Sequence, residues 1–113
     1  MTITTEMIME WGPCDKWPEK RVMEHIGAGK TPLEIADLNH VPSWDRCWIL
    51  MRPEIIPGYS YYDELTDLSD DARDAADEAM GEVRLTTGWY DAFSVVYDAE
   101  WEKRLAAIRE LLI

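Results

Sequence analysis

Apolar residues recur along this chain at intervals of three and four, broken at regular points by proline and glycine. That pattern predicts helices. Thr4 or Thr5 can cap a short helix running to Trp11, which Gly12-Pro13 stops. Trp17-Pro18 opens a second, with proline at a tolerated first position; Val22, Met23 and Ile26 mark its buried side, and Gly27 and Gly29 end it. Thr31-Pro32-Leu33-Glu34 has the form of a capping box with proline at N1, a firm helix start. Leu33, Ile35 and Leu38 continue that helix. After Pro42, Ser43 reads as the N-cap of a helix over Trp44–Met51, halted by Pro53 and Pro57-Gly58.

The second half is longer in period and different in character. Ser69 reads as a cap, followed by Ala72, Ala75, Ala76, Ala79, Met80 and Val83 at the spacing of one helical face. From Trp89 to Ile113, a stripe of Trp89, Phe93, Val96, Tyr97, Trp101, Leu105, Ile108 and Leu112 predicts a long C-terminal helix. A β-hairpin over residues 82–97, turning at Thr86-Thr87-Gly88, competes with it, because Trp89–Val95 also alternates loosely; helix is the favoured reading. The expected fold is all-α: one small domain spanning residues 1–113, with about five helices around the tryptophans.

Charge changes the picture most. Lys and Arg total 11 against 23 Asp and Glu, a net of −12. From Asp63 to Glu82 the net is −8, against −3 before it and −1 after it, so the imbalance is concentrated in one segment. Such a field repels nucleic acid and anionic membrane and attracts basic protein surfaces. Direct DNA or RNA binding is therefore not expected. No apolar run is long enough to span a bilayer and no leader is read, so we expect a cytoplasmic protein with reduced thiols at Cys14 and Cys47.

Candidate chemistry is thin. Gly27-Ala28-Gly29-Lys30-Thr31 imitates a phosphate loop, but Glu24 stands where the pattern needs glycine, and Pro32 removes an amide from the cradle. Cys14, His25, His40 and Cys47 lack the close pairs of a zinc knuckle. A catalytic Cys14 or Cys47 with histidine has no local signature. We expect neither enzyme activity nor a metal nor any other cofactor.

The acidic segment is the strongest functional signal. Asp70, Asp71, Asp74, Asp77 and Glu78 fall opposite the alanines, with Asp63, Glu64 and Asp67 upstream. Like charges at i, i+4 cost about 0.2–0.5 kcal/mol a pair. Asp70 and Asp71 would recover part of this at a helix N-terminus, whereas Asp74 and Asp77 would not. Short carboxylates held close to the backbone form a fixed array that can imitate nucleic-acid phosphates. The bland alternative is a solvated face that keeps the protein soluble. Tyr59, Tyr61 and Tyr62, in what reads as a Pro-Gly-bounded loop beside the array, suit a protein interface, and a homodimer is also compatible with the pattern. The tryptophans read as core.

The first-half landmarks Cys14, Thr31-Pro32-Leu33-Glu34, Val41-Pro42, Asp45-Arg46, Trp48-Ile49-Leu50 and Arg52-Pro53-Glu54-Ile55-Ile56-Pro57 resemble those of small phage and prophage proteins of unassigned function, some of them immunity-like. In charge pattern Asp70–Glu78, interrupted by Arg73, is similar to small acidic phage inhibitors of host defence, both DNA-mimic anti-restriction and anti-CRISPR proteins. The resemblance implies a non-enzymatic inhibitor acting inside the host cell on a basic, nucleic-acid-handling defence complex. An immunity or antitoxin-like protein that neutralises a toxin is the alternative. If Lys30 belongs only to a helix start, Lys30→Ala leaves function intact; calorimetry should detect no ATP binding to the parent protein.

Overall fold

A computed structural model of the chain describes residues 1–80 and 87–113, with the side chain of Met80 left out. Six helices occur among the described residues: α1 (Thr5–Glu10), α2 (Glu19–Ile26), α3 (Pro32–Ala36), α4 (Ser43–Leu50), α5 (Tyr61–Met80) and α6 (Thr87–Leu112). The all-α reading holds.

Local chemistry accounts for the starts. The Thr4 hydroxyl accepts from the Met7 amide at 3.2 Å. At α3 the capping box is complete: the Glu34 amide donates to Thr31 Oγ1 at 3.2 Å, and the Thr31 amide donates to Glu34 Oε1 at 2.9 Å. Two expectations are corrected. Ser43 is not a cap; it is the first residue of α4, buried, with Pro42 in the cap position. Ser69 lies inside α5, and the helix starts nine residues earlier than the alanine pattern suggested. Its start is set by Ser60, whose hydroxyl accepts from the Asp63 amide at 3.4 Å and whose carbonyl accepts from Glu64 at 3.1 Å. Tyr61 and Tyr62 are therefore first-turn residues rather than part of a loop.

The hairpin alternative is overturned where it can be seen. Thr87–Tyr97 is helical, because Trp89, Phe93, Tyr97 and Trp101 recur every fourth residue along one side of α6, the first three stacked and Tyr97 edge-on to Trp101. Centroids are 5.4 Å apart for Trp89–Phe93, 5.4 Å for Phe93–Tyr97 and 6.2 Å for Tyr97–Trp101. Residues 82–86 of that alternative lie outside the described residues.

The packing has two parts. In the first, α1 to α4 gather around Ile3, Ile8, Val22, Ile26, Ile35, Cys47 and Leu50, all buried. The N-terminal segment closes this part through a two-hydrogen-bond bridge: Ile3 N to Lys30 O at 2.8 Å and Lys30 N to Ile3 O at 3.0 Å. Gly29 permits that approach. Its φ is +154°, and a Cβ there would sit 2.3 Å from Thr2 Cγ2. In the second part α5 runs antiparallel to α6, as shown by Tyr61 against Trp101, Glu64 against Arg104 and Asp77 against Trp89.

The two parts join along the C-terminal half of α6. The Cys47 thiol faces the Trp101 carbonyl at 3.9 Å. Arg46 donates to the Ala36 carbonyl at 2.7 Å and approaches Glu102 at 4.0 Å. Arg109 holds Asp37 with two contacts of 2.8 and 3.4 Å. Because Gly29 seats the closing bridge, Gly29→Ala should destabilise the fold by about 1–3 kcal/mol, read as a lower urea midpoint with an unchanged slope.

Candidate functional site

The acidic face of α5 is built by two requirements acting on one helix. Leu68, Ala72 and Ala76 are fully buried, with Leu65 packed beside them. Their spacing fixes which side of α5 meets α6, and small alanines allow a close approach. At 100° per residue, Asp63, Asp67, Asp70, Asp74 and Glu78 then follow each other at intervals of three or four along the opposite side, with Asp71 at its edge. All six are exposed. From Asp63 to Glu78 the stripe is about 22 Å long at 1.5 Å per residue.

Only one cation, Arg73, lies within α5, and its Nη1 is 3.5 Å from Asp70 Oδ1 at an exposed position. Exposed pairs of this kind contribute about 0–1 kcal/mol, too little to neutralise the stripe. Starting α5 at Tyr61 also alters the energetics. Asp63 and Glu64 now occupy the favourable first turn, whereas Asp70 and Asp71 lie mid-helix, beyond reach of the N-terminal dipole. Repulsion at Asp63/Asp67, Asp67/Asp71, Asp70/Asp74 and Asp74/Glu78 is thus largely uncompensated within the helix.

Two of the candidate acids point the other way. Glu64 Oε2 receives Arg104 Nε at 2.7 Å, and Arg104 Nη1 also reaches Glu100 at 2.9 Å. Asp77 Oδ1 accepts from the Trp89 indole at 2.9 Å. Both carboxylates bind α5 to α6. The tyrosines separate in the same way. Tyr59 packs against the core, and Tyr61 stacks on Trp101 at 5.2 Å and 11°, where burial raises its phenol pKa. Tyr62 remains 73% exposed and is the tyrosine available to a partner beside the stripe.

Sequence reasoning missed a second surface. Trp17, Trp44, Trp48 and Tyr61 line a groove of about 420 Å³ with Pro13, Pro42 and Asp45. Trp44, expected in the core, is 37% exposed. Burial raises the pKa of Asp45, opposed by hydrogen bonding from the Trp17 indole, by the charges of Arg21 and Lys16, and by the Trp44 indole. Three tryptophans of this half already carry cations: Arg21 lies 4.2 Å over Trp17, and Arg52 sits between Trp11 and Trp48 at 4.5 and 4.8 Å. The signal for exposure was Trp44 in the first turn of a short helix directly after Pro42.

The phosphate-loop lookalike has structural work instead. Gly27 O accepts from Thr5 Oγ1 at 2.8 Å, the Lys30 amide is engaged with Ile3, and Thr31 caps α3. Among the described residues no group of three or more His, Cys, Asp and Glu could hold a metal, and no helix is long and apolar enough to cross a membrane. Comparison with protein-family models, curated proteins and solved structures finds no match to this chain.

The thiols give a direct check on this geometry. Cys14 is exposed, whereas Cys47 is fully buried and burial pushes its pKa up to about 12. Since the thiolate is the reactive form, a thiol reagent at neutral pH should modify one cysteine rapidly and the second only after denaturant is added. Cys14→Ser should abolish the rapid phase alone.

Proposed function

We propose that the chain is a non-enzymatic inhibitor carried by a phage or mobile element, which acts inside the host cell. The outer face of α5 occupies a basic, nucleic-acid-handling site of a host defence complex. The supporting observation is the stripe of six exposed carboxylates with one cation, Arg73, within its helix, whose other side is fixed to α6. Five of its charges fall along about 22 Å, roughly one per 5 Å, against one per 3.4 Å along a DNA strand. The spacing is looser than that of a nucleic-acid strand but of the same order. Held at fixed positions, the carboxylates need no ordering on binding, and association would be steered by charge.

The groove beside α4 favours a second reading, an immunity-like protein that neutralises a toxin. Pockets rich in tryptophan and tyrosine are where binding energy concentrates in protein interfaces. On that reading the stripe contributes solubility and Trp44 is the anchor.

Asp67, Asp70 and Asp74 can be changed to Asn without touching the inward contacts of Glu64 or Asp77. Stability should hold or rise slightly as repulsion is relieved. Association with the isolated defence complex, followed by surface plasmon resonance, should slow by about an order of magnitude at low salt. Nucleic acid should compete for the same surface. Unchanged binding by this variant, together with loss of binding in Trp44→Ala, would transfer the function to the groove.

A further inference from the structure

The chain has two histidines, and the fold brings them together. His25 is in the last turn of α2 and His40 lies in the connection between α3 and α4. Their ring centroids are 4.8 Å apart with the planes tilted by 36°. Trp17 stands edge-on to His25, with centroids 5.5 Å apart at 72°, and supports that ring from one side. His25 is half-buried and His40 exposed, so one ring is held while the other remains open to solvent.

We propose that His25 and His40 form a two-imidazole site for a divalent transition-metal ion of the zinc or nickel type, which clips the end of α2 to the segment leading into α4. Imidazole nitrogens bind such ions at about 2.0–2.1 Å, so two nitrogens sharing one ion must lie within roughly 4 Å of each other. With each nitrogen about 1 Å from its ring centroid, two rings that share an ion have centroids within about 6 Å of each other. The 4.8 Å spacing meets that condition, and the exposed His40 ring is open to turn a nitrogen toward the ion. The net charge of −12 raises the local concentration of any cation. Nitrogen ligands select zinc, nickel or copper over magnesium and calcium, which take oxygen.

The pair is distinct from the Cys2His2 quartet suggested by residue type. Cys47 lies in the core with its sulfur toward the Trp101 carbonyl, so it cannot reach a shared ion. With two protein ligands, water completes the coordination. An ion that binds only the folded chain stabilises it by mass action.

The test is thermal unfolding of the parent protein and of His25→Gln, His40→Gln and Asp67→Asn/Asp70→Asn/Asp74→Asn, each with zinc, nickel or magnesium chloride. Zinc and nickel should raise the melting temperature of the parent by about 4 °C or more at saturation, and magnesium should leave it unchanged. The rise should vanish in His25→Gln and in His40→Gln, the latter at an exposed position where the substitution leaves the core untouched. It should persist in the acidic-face variant. Calorimetry on the parent should give one zinc per chain. A zinc shift that survives in His40→Gln, a shift removed by the acidic-face variant instead, or no zinc binding at millimolar concentration would each overturn the proposal.

Discussion

The indole of Trp101 has no exposed surface and sits where three helices meet. Tyr61 of α5 stacks on its face, Tyr97 meets it edge-on one turn back along α6, and its carbonyl faces the Cys47 thiol of α4. Burying an aromatic side chain of this size removes about 150–250 Å² from water, about 4–6 kcal/mol at 25 cal/mol per Å². The gain is not complete, because Trp101 Nε1 is buried and has no hydrogen-bond partner among the described residues. Its packing fixes α6 on the four short helices and seats the start of α5 on α6. The remaining ties of α5, Glu64 to Arg104 and Asp77 to Trp89, extend the alignment that Trp101 begins.

Much of the fold was legible because its signals are local. The capping box at Thr31, the proline at position 18 and the glycine after Ile26 each act within a few residues; α3 starts where they predict and α2 one residue later, with Pro18 as its cap, while α3 ends at Ala36, short of the expected Leu38. The stripe from Trp89 to Leu112 gave α6 for the same reason. The start of α5 was misread because Ala72 to Ala79 is the most regular part of its inner face, and Ser69 stands at the right distance to cap it. The true cap, Ser60 with an acid three residues on, follows a Pro-Gly break and stands among three tyrosines that imitate a loop. Ser43 was misread because proline already sets the cap backbone at position 42.

The candidate site was legible in charge but not in direction. Eight carboxylates between Asp63 and Glu78 look alike in a sequence. Which of them face solvent depends on the rotation of α5 about its axis, and Leu68, Ala72 and Ala76 set that rotation against a neighbour 12 to 40 residues away. Glu64 lies beside the buried side and is drawn inward by Arg104, while Asp77, near the end of α5, is engaged by the Trp89 indole. The ring contact of His25 with His40 and the groove around Trp44 depend on how α2, the α3–α4 connection and α4 come together. No local periodicity encodes those meetings.

The antiparallel pair has a geometric consequence. At 26 residues α6 is about 39 Å long and accounts for most of the 48 Å longest dimension of the molecule, whose shortest is 21 Å. Toward Thr87 the described contacts of α6 are with α5. The far end of the pair is therefore a slender projection two helices wide, about 20 Å across at a helix diameter of 10–12 Å. On the proposed reading, a receptor would have to admit a projection of that girth by shape as well as attract it by charge. Clefts narrower than two helices exclude it however basic they are, while a channel wide enough to admit it can meet carboxylates along the whole inserted length.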